Sequence, residues 1–163
     1  MSRVSGGERE DLDVLLVSIS ARLTRLYGQV LGQLATPLTF RQHRLLRRID
    51  EGHSALAALA AFGNLTVPTV SESVEVLVRR GLINRQENPR SRRSLLLSLT
   101  PEGRAAKAAG DLALAEVGRR LLKTVPEERH AVLHESLASI YEAATDIFQH
   151  PDSAPAPPDG ARR

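Results

Sequence analysis

The chain has 163 residues, of which 42% are hydrophobic and only 3% aromatic, and it contains no cysteine. It carries 22 Lys and Arg against 19 Asp and Glu, a formal charge of +3. This length suits one domain with a tail, and the absent cysteine excludes disulfides, thiolate metal sites and thiol redox sensing.

Residues 1–11 are polar, and no apolar stretch with a cleavage site follows them, so no secretory leader is read and a cytoplasmic location is expected. The longest uncharged run, Ser54 to Ser71, is broken by Gly63, Asn64 and Pro68, which argues against a membrane partner. Leu12, Leu15, Leu16, Ile19, Leu23, Leu26, Val30 and Leu34 recur at steps of three or four, so residues 12–34 read as a helix. That stripe is too long and aliphatic for one small domain face, so part of it should pack on another helix or on a second subunit. Thr39-Phe-Arg-Gln42 fits a capping box and opens a helix through Leu45, Leu46 and Ile49. Ser54 can cap a short third helix with Leu56, Leu59 and Ala60 inward, and Phe62-Gly63-Asn64 breaks it.

Thr66 caps the next helix, where Pro68 is tolerated because first-turn N–H groups lack partners. Val70, Val74, Leu77 and Val78 form its buried side, and Gly81 ends it. Its exposed side should carry Val67, Pro68, Thr69, Ser71, Glu72, Glu75 and Arg79. Leu82 to Gln86 and Ser94 to Leu99 read as two strands of a hairpin. The tip, Asn88-Pro-Arg-Ser-Arg-Arg93, holds Arg90, Arg92 and Arg93 and no acid. Nearly all basic residues of the chain are arginine, whose planar fork suits phosphates and base edges. A helix entering the major groove beside a basic wing is a geometry for binding duplex DNA. The other reading of the tip is a solvated turn on a domain that binds protein.

Thr100-Pro101 opens a further helix, Ala105 to Lys123, and Pro126 to Gln149 forms the last, with Leu133, Leu137, Ile140, Tyr141, Ala144, Ile147 and Phe148 as its stripe. The tail from Pro151 is Pro-rich and polar, too poor in apolar surface to order itself. The fold class expected is mainly α, with a winged helix-turn-helix and long terminal helices. The domain spans 8–149, with a reading head at 38–100, a helical frame at 11–34 and 101–149, and a tail at 150–163.

Residues 38–104 resemble the multiple-antibiotic-resistance regulator (MarR) family. The resemblance rests on Leu38-Thr39…Gln42, Pro68-Thr69-Val70, Arg80-Gly81-Leu82-Ile83…Arg85, Pro89, Arg92-Arg93 and Leu99-Thr100-Pro101-Glu102-Gly103. It implies a homodimer that binds double-stranded DNA at a near-palindromic operator, usually as a repressor released by small anionic aromatic effectors. DNA contacts are then expected from Thr66, Val67, Pro68, Thr69, Ser71 and Glu72 on the helix, and from Arg90, Ser91, Arg92 and Arg93 on the wing. Tyr27 and His43 are the candidates for an effector pocket.

The chain departs from the family pattern at three places. Glu72 and Val76 stand where the family often has Arg or Lys, so the helix 66–80 is neutral. Ser91 replaces the usual wing acid. His43 replaces the aromatic residue after Gln42, either as a neutral packed ring or as a polar group lining a cavity.

His130 and His134, with Glu127 a turn earlier, have a spacing that can place three metal ligands on one helix face, or simply give that helix a polar face. No cofactor motif is legible. An enzyme is not expected either: there is no Gly-rich phosphate loop, and Glu142 and Asp146 read as a solvated face. The alternative function is a winged-helix dimer with weakened DNA reading that serves as a protein-interaction module, motivated by Glu72 and Glu75.

Overall fold

The computed structural model describes the backbone of residues 6–63, 65–88 and 91–150, and the side chains of 11–63, 65–86 and 96–150. The tail from Pro151 and wing residue Arg90 lie outside these, as do the side chains of Ser91, Arg92 and Arg93. Among the described residues six α-helices and one hairpin follow in the order α1 (Gly6–Gly32), α2 (Phe40–Asp50), α3 (Leu56–Gly63), α4 (Val67–Arg79), β1 (Ile83–Asn88), β2 (Ser91–Leu99), α5 (Pro101–Leu122) and α6 (His130–Gln149). Among the described residues no helix is long and apolar enough to cross a membrane.

The chain divides into two compact units, Met1–Gly118 and Arg119–Arg163. In the first unit the core is aliphatic, as the composition requires: Leu31, Leu46, Val70, Val74 and Leu77 are almost wholly buried. Leu38, Leu45, Ile49, Leu59, Ala60, Leu82, Ile83, Leu97, Leu99 and Ala106 complete it. Burying one such side chain stabilises by roughly 1.5–3 kcal/mol.

Local chemistry sets the element ends. Thr39 Oγ1 accepts from Gln42 N–H at 3.1 Å while Gln42 Oε1 accepts from Thr39 N–H at 3.0 Å, the reciprocal capping box. The short third helix opens at Leu56, which puts Ala55 and not Ser54 at its cap; the expected Ser54 cap does not form. In α4, Thr66 caps and Pro68 sits in the first turn; Arg80 closes the helix and Gly81 turns left-handed at φ 69°. Only a residue without Cβ adopts that angle at no steric cost.

The hairpin is antiparallel, pairing Ile83 with Leu99 and Arg85 with Leu97, and an irregularity falls between Glu87 and Asn88. Both strands run closer to the tip than the pattern of apolar residues predicts, because ladder pairing continues where the alternation stops. Near the base, Leu97 and Leu99 are buried while Leu96 and Ser98 face out.

In the second unit the last helix is not continuous from Pro126. Glu127–Arg129 form a 3-10 turn, and α6 begins at His130. No residue of α6 is buried, so its stripe of Leu137, Ile140, Tyr141, Ile147 and Phe148 is exposed.

Candidate nucleic-acid interface

Helix α4 is amphipathic, and its burial fixes which side it offers. With Val70, Val74 and Leu77 buried, Pro68, Glu72, Glu75 and Arg79 fall on one outward line at helical spacing, with Val67 and Ser71 beside it. Arg80, just past the helix, is anchored: its guanidinium donates to Pro37 O and to Gln42 Oε1. That pins the end of α4 to the α1–α2 connection and to the start of α2.

The wing follows directly. Thr100 Oγ1 donates to Gly81 O at 2.7 Å and accepts from Gly103 N–H at 2.9 Å, so one hydroxyl ties the turn after α4 to the first turn of α5. Arg104 donates to Leu99 O at 2.8 Å, holding the end of β2 to α5. Of the residues expected from sequence to meet DNA, Val67, Pro68, Thr69, Ser71 and Glu72 lie on α4, and Thr66 caps it. Arg85 is exposed on β1. The expected contacts from Arg90, and from the side chains of Ser91, Arg92 and Arg93, fall outside the described residues.

A cleft of about 330 Å³ opens between α1, α2 and α3. Arg41, Arg44 and Arg48 line one side; Phe40, Leu45, Leu59, Phe62 and Leu65 supply apolar walls. Arg48 lies over the Phe62 ring at 4.4 Å and bonds Glu51 at 3.0 Å. Arg41 and Arg44 have no carboxylate partner among the described residues. The three arginines are spaced i, i+3, i+7, which sets them on one face of α2, a signal legible in the sequence alone.

Neither Tyr27 nor His43 lines this cleft. Tyr27 packs on Phe40, with ring centroids 5.5 Å apart. His43 is buried toward α5, its Nε2–H donating to Asp111 Oδ1 at 3.0 Å. Asp111 also meets Lys107 Nζ at 3.2 Å, and Lys107 meets Asp50 at 3.0 Å. Hydrogen bonds to Asp50 and Asp111 raise the Lys107 pKa above its ordinary value.

His43 behaves as a packed ring. Burial pushes its pKa below the ordinary 6.5, against the pull of Asp111. Its Nδ1 has no hydrogen-bond partner, so a proton added there would be a buried, unpaired donor. The unfolded chain takes up that proton near pH 6.5 and the folded chain only at lower pH. The stabilisation is thus complete above pH 6.5 and is lost as pH falls through the native value. Denaturant titrations at pH 7.5 and pH 5.5 should show wild-type stability falling with acid and a shallower fall in His43→Phe. Equal slopes would remove His43 as the cause.

His130, His134 and Glu127 do not assemble a metal site. His130 Nε2 bonds Val125 O at 2.9 Å, and among the described residues no group of three His, Asp or Glu side chains is placed to hold an ion.

A family model described as the MarR family matches residues 36–94. Among solved structures, a probable transcriptional regulator from Pseudomonas aeruginosa is 30% identical, covering 79% of this chain and 98% of its own, with a TM-score of 0.62. FabT of Streptococcus pneumoniae in complex with DNA has a TM-score of 0.76 at 20% identity, over 85% of this chain and 99% of that one. A mutant MarR from E. coli complexed with operator DNA has a TM-score of 0.67 at 21% identity, over 82% and 95% of the two chains. The latter two likenesses are of fold. No curated protein sequence matches the chain.

Proposed function

The chain belongs to the MarR family, and from that premise we propose that it is a DNA-binding transcriptional regulator, a homodimeric repressor of a near-palindromic operator. The observation that carries this reading is α4, whose outward line of residues is presented by a buried apolar face and followed at once by an arginine-tipped hairpin. Helix α4 enters the major groove, and Arg90, Arg92 and Arg93 meet the flanking backbone. A twofold pair reads half-sites roughly 10 base pairs apart.

Titration of duplex containing the chain's own promoter region, at several salt concentrations, tests this. Tight binding is expected, and Arg92→Ala with Arg93→Ala should make the negative slope of log affinity against log salt shallower by about 1.8, about 0.9 per phosphate contact. Weak binding without sequence preference would instead favour the protein-interaction module.

The cleft is the proposed effector site. Its three arginines fit an anion, and its phenyl and leucine walls fit an apolar body. Leu65 lines it and precedes Thr66, the cap of α4, so an occupant bears on the start of the reading helix. Millimolar benzoate-type anions should release the operator, and Arg44→Ala should blunt release while leaving ligand-free DNA affinity within about twofold. Equal release from that variant would remove the cleft from the reading.

A further inference from the structure

Much of the polar chemistry of α4 is already engaged within the helix. Thr66 and Thr69 hydroxyls bond each other at 2.9 Å, and Thr66 Oγ1 also caps the Thr69 N–H. The Ser73 hydroxyl donates to Thr69 O at 3.0 Å. From Val67 to Val78 the helix holds no Arg, Lys, Asn or Gln. Arg79 stands about 18 Å along the axis from Val67, at 1.5 Å per residue, and Arg80 is tied to Pro37 and Gln42. Reading helices touch base edges with their N-terminal residues.

At that end two kinds of group face outward. Val67 and Pro68 are exposed and apolar, with Val67 at 44% exposure. One turn on, the exposed Glu72 offers only acceptors. In the major groove an apolar side chain matches the thymine C5-methyl, and a carboxylate matches the cytosine N4 amino group. The bidentate partners of guanine, Arg or Lys, and of adenine, Asn or Gln, are absent from the first three turns, whose half-buried Ser71 hydroxyl can bond either edge without telling them apart.

Resting on the DNA-binding reading above, we propose that α4 reads thymine methyl groups through Val67 and Pro68 and a cytosine amino group through Glu72, with no arginine–guanine contact from its first three turns. The neutral helix then supplies selectivity, and the wing arginines supply the salt-dependent attraction.

Selection of duplexes from a random pool by the full-length wild type, Glu72→Gln and Glu72→Ala proteins tests this. Wild-type half-sites should hold a required C·G pair and an adjacent required thymine. Deoxyuridine in place of that thymine removes only the methyl and should weaken binding about fourfold. Glu72→Gln should move the preference at the C·G pair toward adenine by tenfold or more, since an amide pairs with adenine N6 and N7. Glu72→Ala should lose discrimination there while its affinity for unrelated duplex stays level or rises. Unchanged selection by both variants, or deoxyuridine tolerated at every thymine, overturns the inference while DNA binding stands. Failure of the wild type to retain any duplex at low salt overturns both.

Discussion

Gly103→Ala is expected to destabilise the protein by about 3 kcal/mol or more, the upper end of what overpacking costs. A Cβ at this position would lie 1.9 Å from Leu82 O and 2.9 Å from its carbonyl carbon. The obstacle is backbone, which has no rotamer to change. It is also held in place: Leu82 is buried, and its carbonyl accepts from Thr100 N–H at 3.2 Å. Relief requires α5 to back away from the turn after α4. That motion breaks the Thr100 bonds to Gly81 and Gly103, which join the reading helix, the wing and α5.

The sign of the effect is diagnostic. In an unobstructed helix, glycine to alanine stabilises by about 1 kcal/mol. Gly118 in α5 has open space where a Cβ would go, so Gly118→Ala is the matched control, expected to raise stability slightly. For a chain of this size the Gly103→Ala loss corresponds to a fall in melting temperature of roughly 6–12 °C. Thermal unfolding of the two variants beside wild type decides it. A Gly103→Ala protein as stable as wild type would mean that α5 does not press on Leu82.

The contrast between these two glycines marks the border of what the sequence discloses. Signals that act within four residues were readable: the Thr39 capping box, the Thr66 cap, Gly81 and the buried stripe of α4. They arise from the chain's own hydrogen bonds and sterics, so no partner need be known. Ser54 misled because a hydroxyl near a helix start is necessary for that cap and not sufficient; the helix began one residue later. The His43–Asp111 bond joins residues 68 apart, and the clash at Gly103 is with a residue from another element. Both depend on how α5 lies against the head, which no local pattern encodes. The cleft falls between: its arginine spacing was local and readable, but its apolar walls come from α2, α3 and Leu65 beyond α3.

Leu16→Asp combined with Ile19→Asp is expected to give a folded monomer that binds the operator 100- to 10,000-fold more weakly, the range lost when two linked contacts become one. Residues Leu12 to Ile19 include Val14, Leu15, Leu16 and Val17, with Asp13 and Ser18 the only polar positions. Their large apolar side chains are 43–70% exposed in the single chain. A helical stretch apolar around most of its circumference is stable in water chiefly when covered, and a monomer rarely exposes so continuous a patch. In the second unit α6 repeats the pattern, with Leu137, Ile140, Tyr141 and Phe148 exposed. The occupant we propose is a second copy of the chain, because a twofold pair presents two α4 helices to one operator. An aspartate at position 16 or 19 places a charge in that interface with no basic partner assured, and a buried unpaired carboxylate is strongly unfavourable. The substituted positions are exposed within the chain, so helical content should stay at the wild-type level. Sedimentation velocity should report one chain per particle, and a half-site duplex should bind as well as it does to wild type. A variant that stays dimeric, or a monomer that holds the full operator as tightly as wild type, would refute the role assigned to α1.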